Sequence, residues 1–224
     1  MEHEQTTGDG GPGDDRPDPK RKQSREARRG QLIEATIETL ATRGYARTTL
    51  GEVAKVAGLS HGLANFHFES KENLLAATLD HLAEEYRQNW QAAFFGAPPD
   101  APARIAALLR ADFNPAVCTP HRLSAWCAFW GEAQSRPMYQ DHCGSNDSAY
   151  NSTLEGECAR MNAEHSYRHD PVRAGRVLRV TVEGVWLDLM TMRDPYSPAE
   201  ALATVWACAA AFYPRHFDGD GPLA

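Results

Sequence analysis

The chain has 224 residues, of which 42% are hydrophobic and 24% are charged, and its net charge is −7. This length and composition favour one large globular domain, or a small domain joined to a larger one, and exclude a chain that is disordered throughout. The Gly/Pro-rich amino terminus does not resemble a signal peptide and no apolar run reaches the roughly 18 residues that span a bilayer, so we expect a soluble cytoplasmic protein without a membrane partner.

The charge is distributed unevenly along the chain. Residues 1–15 contain five acidic residues and no basic one, and residues 16–71 contain eleven Lys and Arg against six acids. The remainder is acidic. A basic segment in front of an acidic body is typical of a protein that contacts DNA through one small part. The five cysteines include no Cys-x-x-Cys pair, which favours free thiols in a reducing compartment.

The first predicted elements are a disordered tail and a long helix. Residues 1–22 have almost no large apolar side chain, which is typical of disorder. A helix is predicted from about Ser24 to Arg43, because apolar residues recur there at helical spacing and Gly44 supplies a stop. Arg25 belongs to a basic segment at this helix start, and such arms can lie along phosphates or enter a minor groove.

A helix-turn-helix is predicted within residues 48–71, TTLGEVAKVAGLSHGLANFHFESK. Two threonines can cap a first short helix, and Gly58 ends it because glycine reaches the left-handed conformation without a side-chain clash. Ser60 then caps a second short helix, from His61 to about Phe68. A tight glycine-containing turn between two short helices presents a recognition helix to a DNA major groove, so double-stranded DNA is the expected partner.

Two residues at helix starts are predicted to bind phosphate. Lys71 begins the helix that follows the motif, and Thr49 precedes the first helix of the motif. Backbone N–H groups and the helix dipole favour an anion at such positions, and Lys71 adds a positive charge. These contacts position a protein on DNA without reading its sequence.

The exposed side of the second short helix is predicted to read the bases. Asn65 can hydrogen-bond a phosphate or a base edge, and His67 can bind a phosphate or pack half-buried. Gly62 either lets the backbone approach the groove or answers a packing need, and Phe66 and Phe68 are expected to anchor the helix to its own core. The predicted DNA contacts are Arg25, Thr48, Thr49, Ser60, His61, Gly62, Leu63, Asn65, His67 and Lys71, with Ala64 also placed on the exposed face.

The pattern beyond the motif is helical. A long helix is predicted from Ser70 to about Phe94, and Pro98-Pro99 with Gly96 then breaks the chain. No run of alternating β-branched residues indicates a sheet, so the chain is predicted to be all-α. The further helices are expected at about 101–113, 120–134, 138–165, 171–193 and 198–213.

The front of the chain carries a distinctive series of residues. They are Arg43-Gly44-Tyr45, Thr48-Thr49, the Ala57-Gly58-Leu59-Ser60 turn, Gly62, His67-Phe68, and Lys71 with Leu74-Leu75. In these residues the sequence resembles the tetracycline-repressor (TetR) family of one-component regulators. The resemblance implies an Ω-shaped homodimer with three-helix DNA-binding heads. The sequence departs from the family at Asn65, where most members have a tyrosine that touches a phosphate.

The resemblance also assigns functions along the chain. It implies that residues 23–71 form the DNA-binding domain and that residues 72–216 form a helical domain that binds a small effector and dimerises. Residues 217–224 are predicted to be a flexible tail. The dimer is expected to pack the last two helices of each chain as a four-helix bundle. The residues assigned to this bundle are Val177, Leu178, Val182, Val185, Leu189, Leu202, Val205, Trp206, Ala209 and Phe212.

Three segments of the body have a narrower likeness. Ser124–Trp130, Arg136–Tyr139 and Glu183–Leu187 look like the corresponding segments of BetI-type choline-responsive repressors. This likeness implies that choline or betaine aldehyde is the effector and that it releases the repressor from a palindromic operator.

Aromatic residues in these segments can form a cage for a cation. Trp126 and Trp130 lie one helical turn apart, Phe129 lies beside them, and the family fold places Trp186 near the same cavity. Aromatic faces attract a quaternary ammonium group, although a tryptophan stripe at this spacing is also typical of plain core. A carboxylate would complete the site, and the candidates are Asp112, Glu183 and Asp188. The predicted ligand contacts are Trp126, Phe129, Trp130, Tyr139, Trp186, Glu183 and Asp112.

Other functions stay open at this point. A regulator of the same fold could bind a polyamine or an apolar molecule instead. A different class would be an all-α enzyme that uses Cys143 beside His142, or a metal between His165 and His169. Neither pair is accompanied by the further residues that a nucleophile or a zinc site needs, so we expect no enzyme activity, no metal and no cofactor.

Overall fold

The computed structural model describes residues 19–133 and 137–223, with side chains described from residue 24 onward and outside 132–136. Within these ranges the chain forms nine α-helices and one small ribbon, which confirms the predicted all-α class. None of the helices in the described ranges has the length and apolar character to cross a membrane. The elements are α1 Pro19–Arg43, α2 Leu50–Val56, α3 His61–Phe68, α4 Lys71–Gly96, α5 Ala101–Ala111, α6 Pro120–Ala133, α7 Pro137–His165, α8 Pro171–Thr191, α9 Pro198–Phe212, β1 Phe217–Asp218 and β2 Gly221–Pro222.

The starts of α3 and α4 follow the predicted capping chemistry. Ser60 Oγ accepts a hydrogen bond from the Leu63 N–H at 3.2 Å, and Ser70 Oγ accepts one from the Asn73 N–H at 3.1 Å. Between α2 and α3, Gly58 has a φ of +66°, which only glycine adopts without strain. The turn between the two short helices is therefore fixed by its own residues.

Two apolar clusters form the core, and α4 belongs to both. The head cluster joins α1, α2 and α3 to the first half of α4 through Leu74 and Leu79. The body cluster joins α5, α7, α8 and α9 to the second half of α4 through Trp90. Phe129 of α6 is buried in the head cluster, although α6 is a body helix. Both α4 and α6 therefore connect the head to the body.

α7 and α8 lie in close contact. A Cβ atom added to Gly175 of α8 would meet the Cγ of Glu155 in α7 at 2.9 Å, so only glycine permits this approach. The two helices are joined by residues 166–170 alone, and so short a connection makes them antiparallel neighbours.

The amino-terminal tail differs in part from the prediction. Because α1 begins at Pro19, residues 19–22 of the predicted disordered tail are helical. Residues 1–18 of that tail lie outside the described residues.

The predicted flexible tail from residue 217 is a folded ribbon instead. β1 and β2 pair antiparallel with Phe217 opposite Pro222. The Phe217 ring is buried and stacks on Trp206, with 6.0 Å between the ring centroids. This buried aromatic contact holds the ribbon on α9, and strands of two residues leave no periodic pattern in a sequence.

Most residues assigned to a dimer bundle lie inside a single chain. Those at most 5% exposed are Leu178, Val182, Val185, Val205, Trp206 and Ala209. Since they pack within their own chain, they cannot form the dimer surface. The large apolar residues that α8 leaves exposed are Val172, Val177, Val180 and Leu187.

Candidate functional site

The turn before the recognition helix α3 is tied on two sides. The Leu59 N–H donates to the Ala54 carbonyl oxygen at 2.9 Å, which closes the end of α2. From α1, the side chain of Gln31 donates to the Ala57 carbonyl oxygen at 2.8 Å. These bonds hold α3 at a fixed angle to α1 and α2, as a helix-turn-helix requires.

The predicted DNA contacts divide by exposure. The exposed members are Arg25, Thr49, Ser60, His61, Gly62 and Asn65, and the half-buried members are Leu63, His67 and Lys71. Thr48 is fully buried, and its hydroxyl donates to the Gly44 carbonyl oxygen, so it stabilises the loop before α2 and presents nothing to DNA. Ala64 is also fully buried, which corrects its placement on the exposed face.

The basic start of α1 lies beside α3. The Arg25 guanidinium lies 5.4 Å from the Phe66 ring centroid, and that of Arg29 lies 5.0 Å from the Phe68 centroid. Burial lowers the pKa of His67, and Arg25 and Arg29 lower it further. This lowering favours the neutral imidazole, which can offer a phosphate a hydrogen bond without a charge.

Phe66 contradicts its predicted role as a core anchor. Its side chain is 63% exposed, whereas Phe68 is buried as predicted. Phe66 shares the outer face of α3 with Gly62 and Asn65, because residues three and four apart meet on one side of a helix. That spacing was readable in the sequence, and an exposed phenylalanine there can contact a thymine methyl group.

Lys71 has an internal role in addition to its predicted one. Its Nζ donates to the carbonyl oxygens of Tyr45 at 2.9 Å and Ala46 at 3.3 Å, and it lies 5.1 Å from the Tyr45 ring centroid. Lys71 therefore ties the start of α4 to the loop between α1 and α2. A Lys71 variant would report on the packing of the head as well as on phosphate binding.

The body encloses a cavity of about 150 Å³ lined by α4, α6, α7, α8 and the end of α5, which we call the aromatic cavity. Six of the seven predicted ligand contacts line it, namely Asp112, Trp126, Trp130, Tyr139, Glu183 and Trp186. The lining residues that the sequence analysis did not assign are Tyr86, Asp147, Tyr150, Asn151, Arg179 and Val182.

Three tryptophans form one wall of the aromatic cavity. The indole planes of Trp130 and Trp186 are within 15° of parallel, and their centroids are 6.4 Å apart. Trp126 lies 6.4 Å from Trp130. Trp130 Nε1 donates to the Tyr139 hydroxyl at 3.0 Å, and Trp186 Nε1 donates to the Asp112 carbonyl oxygen at 3.1 Å, so both rings are held in place. Aromatic faces attract a cation that lies within about 6 Å of them.

Asp112 supplies a buried carboxyl group to the same cavity. The Tyr86 hydroxyl donates to one carboxyl oxygen at 2.8 Å, and the Tyr150 hydroxyl donates to the other at 2.7 Å. Burial raises the pKa of Asp112 to about 7, although the two tyrosine hydrogen bonds oppose the rise. The negative charge of Glu183 contributes further to the rise. A cation in the cavity would favour the ionised form of Asp112.

α7 and α8 line the polar side of the aromatic cavity. Asp147 accepts a hydrogen bond from the Tyr139 hydroxyl at 3.3 Å, and burial raises its pKa. Arg179 donates to Glu183 one turn along α8. With Asp112, three carboxyl groups therefore face the cavity against one guanidinium, and this balance favours a cationic ligand.

A signal for the α7 residues was present in the sequence. Asp147, Tyr150 and Asn151 have the i, i+3, i+4 spacing that places side chains on one helical face. The preceding polar residue, Asn146, is also buried, and it accepts a hydrogen bond from Trp90 Nε1 at 3.4 Å. The polar run in the middle of α7 thus contacts α4 and the cavity.

The predicted ligand contact Phe129 and the candidate carboxylate Asp188 both lie away from the aromatic cavity. Phe129 is 1% exposed and packs edge-on against Tyr45 of the head, with 6.2 Å between the ring centroids. Phe129 belongs to the head cluster and does not line the cavity, whereas its neighbour Trp130 does. Asp188 is exposed and accepts a hydrogen bond from the Tyr196 hydroxyl.

The residues of the enzyme alternatives lack the environment that such chemistry needs. Burial raises the pKa of the Cys143 thiol to about 12, which opposes formation of a nucleophilic thiolate. His142 is paired with Asp80. In the described part of the chain, no group of three or more His, Cys, Asp or Glu is arranged to hold a metal.

Two family descriptions match this chain. Residues 32–78 match the family of bacterial regulatory proteins named tetR, and residues 101–213 match the C-terminal domain of BetI-type transcriptional repressors. A regulator named BetI from Paraburkholderia phymatum is 30% identical over 178 residues, which is 80% of this chain and 89% of that protein. A regulator named BetI from Burkholderia mallei is 31% identical over 181 residues, which is 80% of this chain and 89% of that protein.

Solved structures share the fold. A transcriptional regulator from Pseudomonas aeruginosa PAO1 has a TM-score of 0.72 and 25% identity, covering 86% of this chain and 95% of its own. A regulator from Saccharomonospora viridis, solved in complex with choline, has a TM-score of 0.70 and 20% identity, covering 86% and 97%. From the matched family descriptions and relatives, the chain belongs to the tetR family and is a BetI-type transcriptional repressor.

Proposed function

We propose that the protein is a homodimeric repressor that binds a palindromic operator and leaves it when a small quaternary ammonium ion, choline first and betaine aldehyde second, enters the aromatic cavity. The observation that carries this proposal is the pairing of the Trp126, Trp130 and Trp186 faces with the Asp112 carboxyl group in one cavity. Each aromatic face contributes about 2 kcal/mol to binding of a desolvated cation. The choline complex of the Saccharomonospora viridis regulator supports the same class of effector.

The DNA-binding surface is the outer face of α3 together with the start of α1. His61, Asn65 and Phe66 are exposed on α3, and Arg25 lies beside them. Asn65 would bind a base edge or a phosphate, and Phe66 would contact a thymine methyl group. Arg25 and Lys71 would add contacts to phosphates, with Lys71 combining this role with its bonds to the loop before α2.

The dimer surface is the exposed stripe on α8. Val177, Val180, Gly184 and Leu187 recur at the three- and four-residue spacing of one helical face. Val180 and Leu187 are 51% and 49% exposed, which is unusual for such residues unless a partner covers them. Packing this stripe against a second copy would place two heads side by side, so the operator would be palindromic.

A direct path connects the cavity to the head through α6. Trp126 and Trp130 line the cavity on one face of this helix. Phe129 of the same helix packs against Tyr45, whose carbonyl oxygen accepts the Lys71 hydrogen bond. A ligand that shifts α6 would therefore shift the base of the head. A coupling free energy of about 1–3 kcal/mol would give a clear response.

Isothermal titration calorimetry with choline tests the effector site. We expect Trp130→Leu to weaken binding about 30-fold, because one aromatic face is lost. Phe95→Leu is the matched control, since Phe95 is 73% exposed and lies outside the cavity lining, and it should bind like the wild type. Equal choline affinity in Trp130→Leu and wild type would refute the cage.

A polyamine is the second candidate effector, because three carboxyl groups line the cavity. Spermidine is tested in the same titration, and tighter binding of spermidine than of choline would favour a polyamine as the effector. We expect the reverse, since the tryptophan wall interacts best with a desolvated quaternary ammonium group.

A further inference from the structure

One amide oxygen of the aromatic cavity has no hydrogen-bond partner within the described ranges of the chain. Asn151 lines the cavity, and its Oδ1 is buried with no hydrogen-bond partner among the described residues. A buried acceptor without a partner costs free energy, and each such atom in a native fold calls for an explanation.

The neighbouring donors are engaged elsewhere. Arg179 donates to Glu183, and the Tyr139 hydroxyl donates to Asp147. The Tyr150 hydroxyl donates to Asp112. These three cavity-lining side chains therefore donate to carboxylates, and Asn151 Oδ1 accepts from none of the described residues.

The packing of α7 on α8 brings Asn151 close to the tryptophan wall. α7 and α8 touch where Glu155 meets Gly175. Because the helices are antiparallel, moving four residues back along α7 to Asn151 corresponds to moving four residues forward along α8 to Arg179. Side chains lean toward the amino-terminal end of their own helix. Asn151 and Trp186 therefore lean toward one another, to the level of Val182, and both line the same cavity.

We propose that Asn151 is the subsite that selects an effector whose quaternary ammonium group is joined to a hydrogen-bond donor, such as a hydroxyl group. This inference rests on the proposed cationic effector. The tryptophan wall holds the ammonium group, and Asn151 Oδ1 accepts the hydrogen bond from the hydroxyl group. A cation without a donor would occupy the same wall but leave the amide oxygen unsatisfied.

Two cations of matched size separate these contributions in calorimetric titrations of the full chain. Choline carries the hydroxyl group, and propyltrimethylammonium replaces it with a methyl group. We expect the wild type to prefer choline by about tenfold, the effect of leaving one buried acceptor unpaired. Asn151→Leu should abolish this preference, mainly by weakening choline binding.

Asn151→Asp guards against a folding defect in Asn151→Leu, because it keeps the size and an acceptor oxygen. We expect this variant to keep a preference for choline of at least the wild-type size. Equal binding of the two cations to the wild type would overturn the subsite and leave the cationic effector standing. The same preference in Asn151→Leu as in the wild type would also overturn the subsite. Binding of neither cation to the wild type would overturn the proposed effector class and the subsite together.

Discussion

The substitution Asp112→Asn removes a fully buried carboxyl group from the aromatic cavity and should flatten the pH dependence of effector binding. In the wild type, burial raises the pKa of Asp112 to about 7. Choline carries the same positive charge across the neutral range, so it binds better to the ionised carboxylate. Protonation of Asp112 below pH 7 therefore competes with the cation.

The size of the effect follows from the shift in pKa. A nearby positive charge lowers a carboxyl pKa by about two units, so bound choline would bring Asp112 from about 7 to about 5. Linkage then predicts choline affinity about tenfold weaker at pH 6, and about fiftyfold weaker at pH 5, than at pH 9. The free energy of binding becomes more favourable as pH rises through the pKa of the free protein.

Titrations of choline at pH 5, 6, 7 and 9, followed by calorimetry, measure this slope in both proteins. Asp112→Asn should show a much smaller slope, with the remainder arising from Asp147, whose pKa is also raised by burial. Its affinity at pH 9 should fall below that of the wild type, because the paired charge is gone. The reasoning is refuted if both proteins show the same slope, or if wild-type affinity falls as pH rises. Circular dichroism checks that the variant folds, since asparagine keeps one acceptor oxygen where Asp112 offers two to Tyr86 and Tyr150.

Four further substitutions test DNA binding, dimer formation and the coupling between cavity and head. Phe66→Ala should weaken operator binding about fivefold or more in anisotropy titrations, through loss of an apolar base contact. Its choline affinity should stay unchanged. Operator affinity equal to that of the wild type would contradict a role of Phe66 in DNA binding. Val180→Asp should shift the protein to a monomer at micromolar concentration in sedimentation measurements, because it buries an unpaired charge in the proposed interface. Thr204→Asp places the same charge on the exposed surface of α9 and should leave the dimer intact. A monomeric Thr204→Asp would show that α9 also belongs to the interface. Phe129→Leu should keep both choline and operator binding but reduce release by choline several-fold, since it loosens the contact with Tyr45; full release would exclude this path.

The sequence predicted the helices well, because their ends are determined locally. Ser60 and Ser70 cap helices as their side-chain chemistry requires, and Gly58 adopts the left-handed conformation that the turn needs. Helical periodicity and prolines at helix starts defined the remaining elements. The ribbon at Phe217 was missed, since its stability comes from stacking on Trp206 rather than from a local pattern.

The orientation of side chains was less predictable than the helices that carry them. In α3, which has only eight residues, exposure depends on how the helix packs against α2 and α4, and this packing leaves Phe66 outside and Ala64 inside. Phe129 was assigned to the cage because its spacing places it beside Trp126, yet its ring packs against Tyr45 of the head.

The dimer face was also difficult to assign from the sequence. α8 carries apolar residues on two sides, and only packing decides that Val182 belongs to the chain's own core while Val180 is exposed. The sequence and the family resemblance led to six cavity residues but missed Tyr86, Asp147 and Tyr150. The spacing of the α7 residues hinted at Asn151, but only the packing shows that its buried amide oxygen has no partner in the part of the chain that the structure describes.

The most direct test of the central claim is fluorescence anisotropy of labelled DNA from just upstream of the protein's own gene, titrated with protein and then with choline. We expect specific binding that resists excess unrelated DNA, followed by release at choline concentrations that match the calorimetric affinity. We expect no release of Trp130→Leu at those concentrations. Specific binding that choline leaves unchanged would contradict the aromatic cavity as the choline-responsive site.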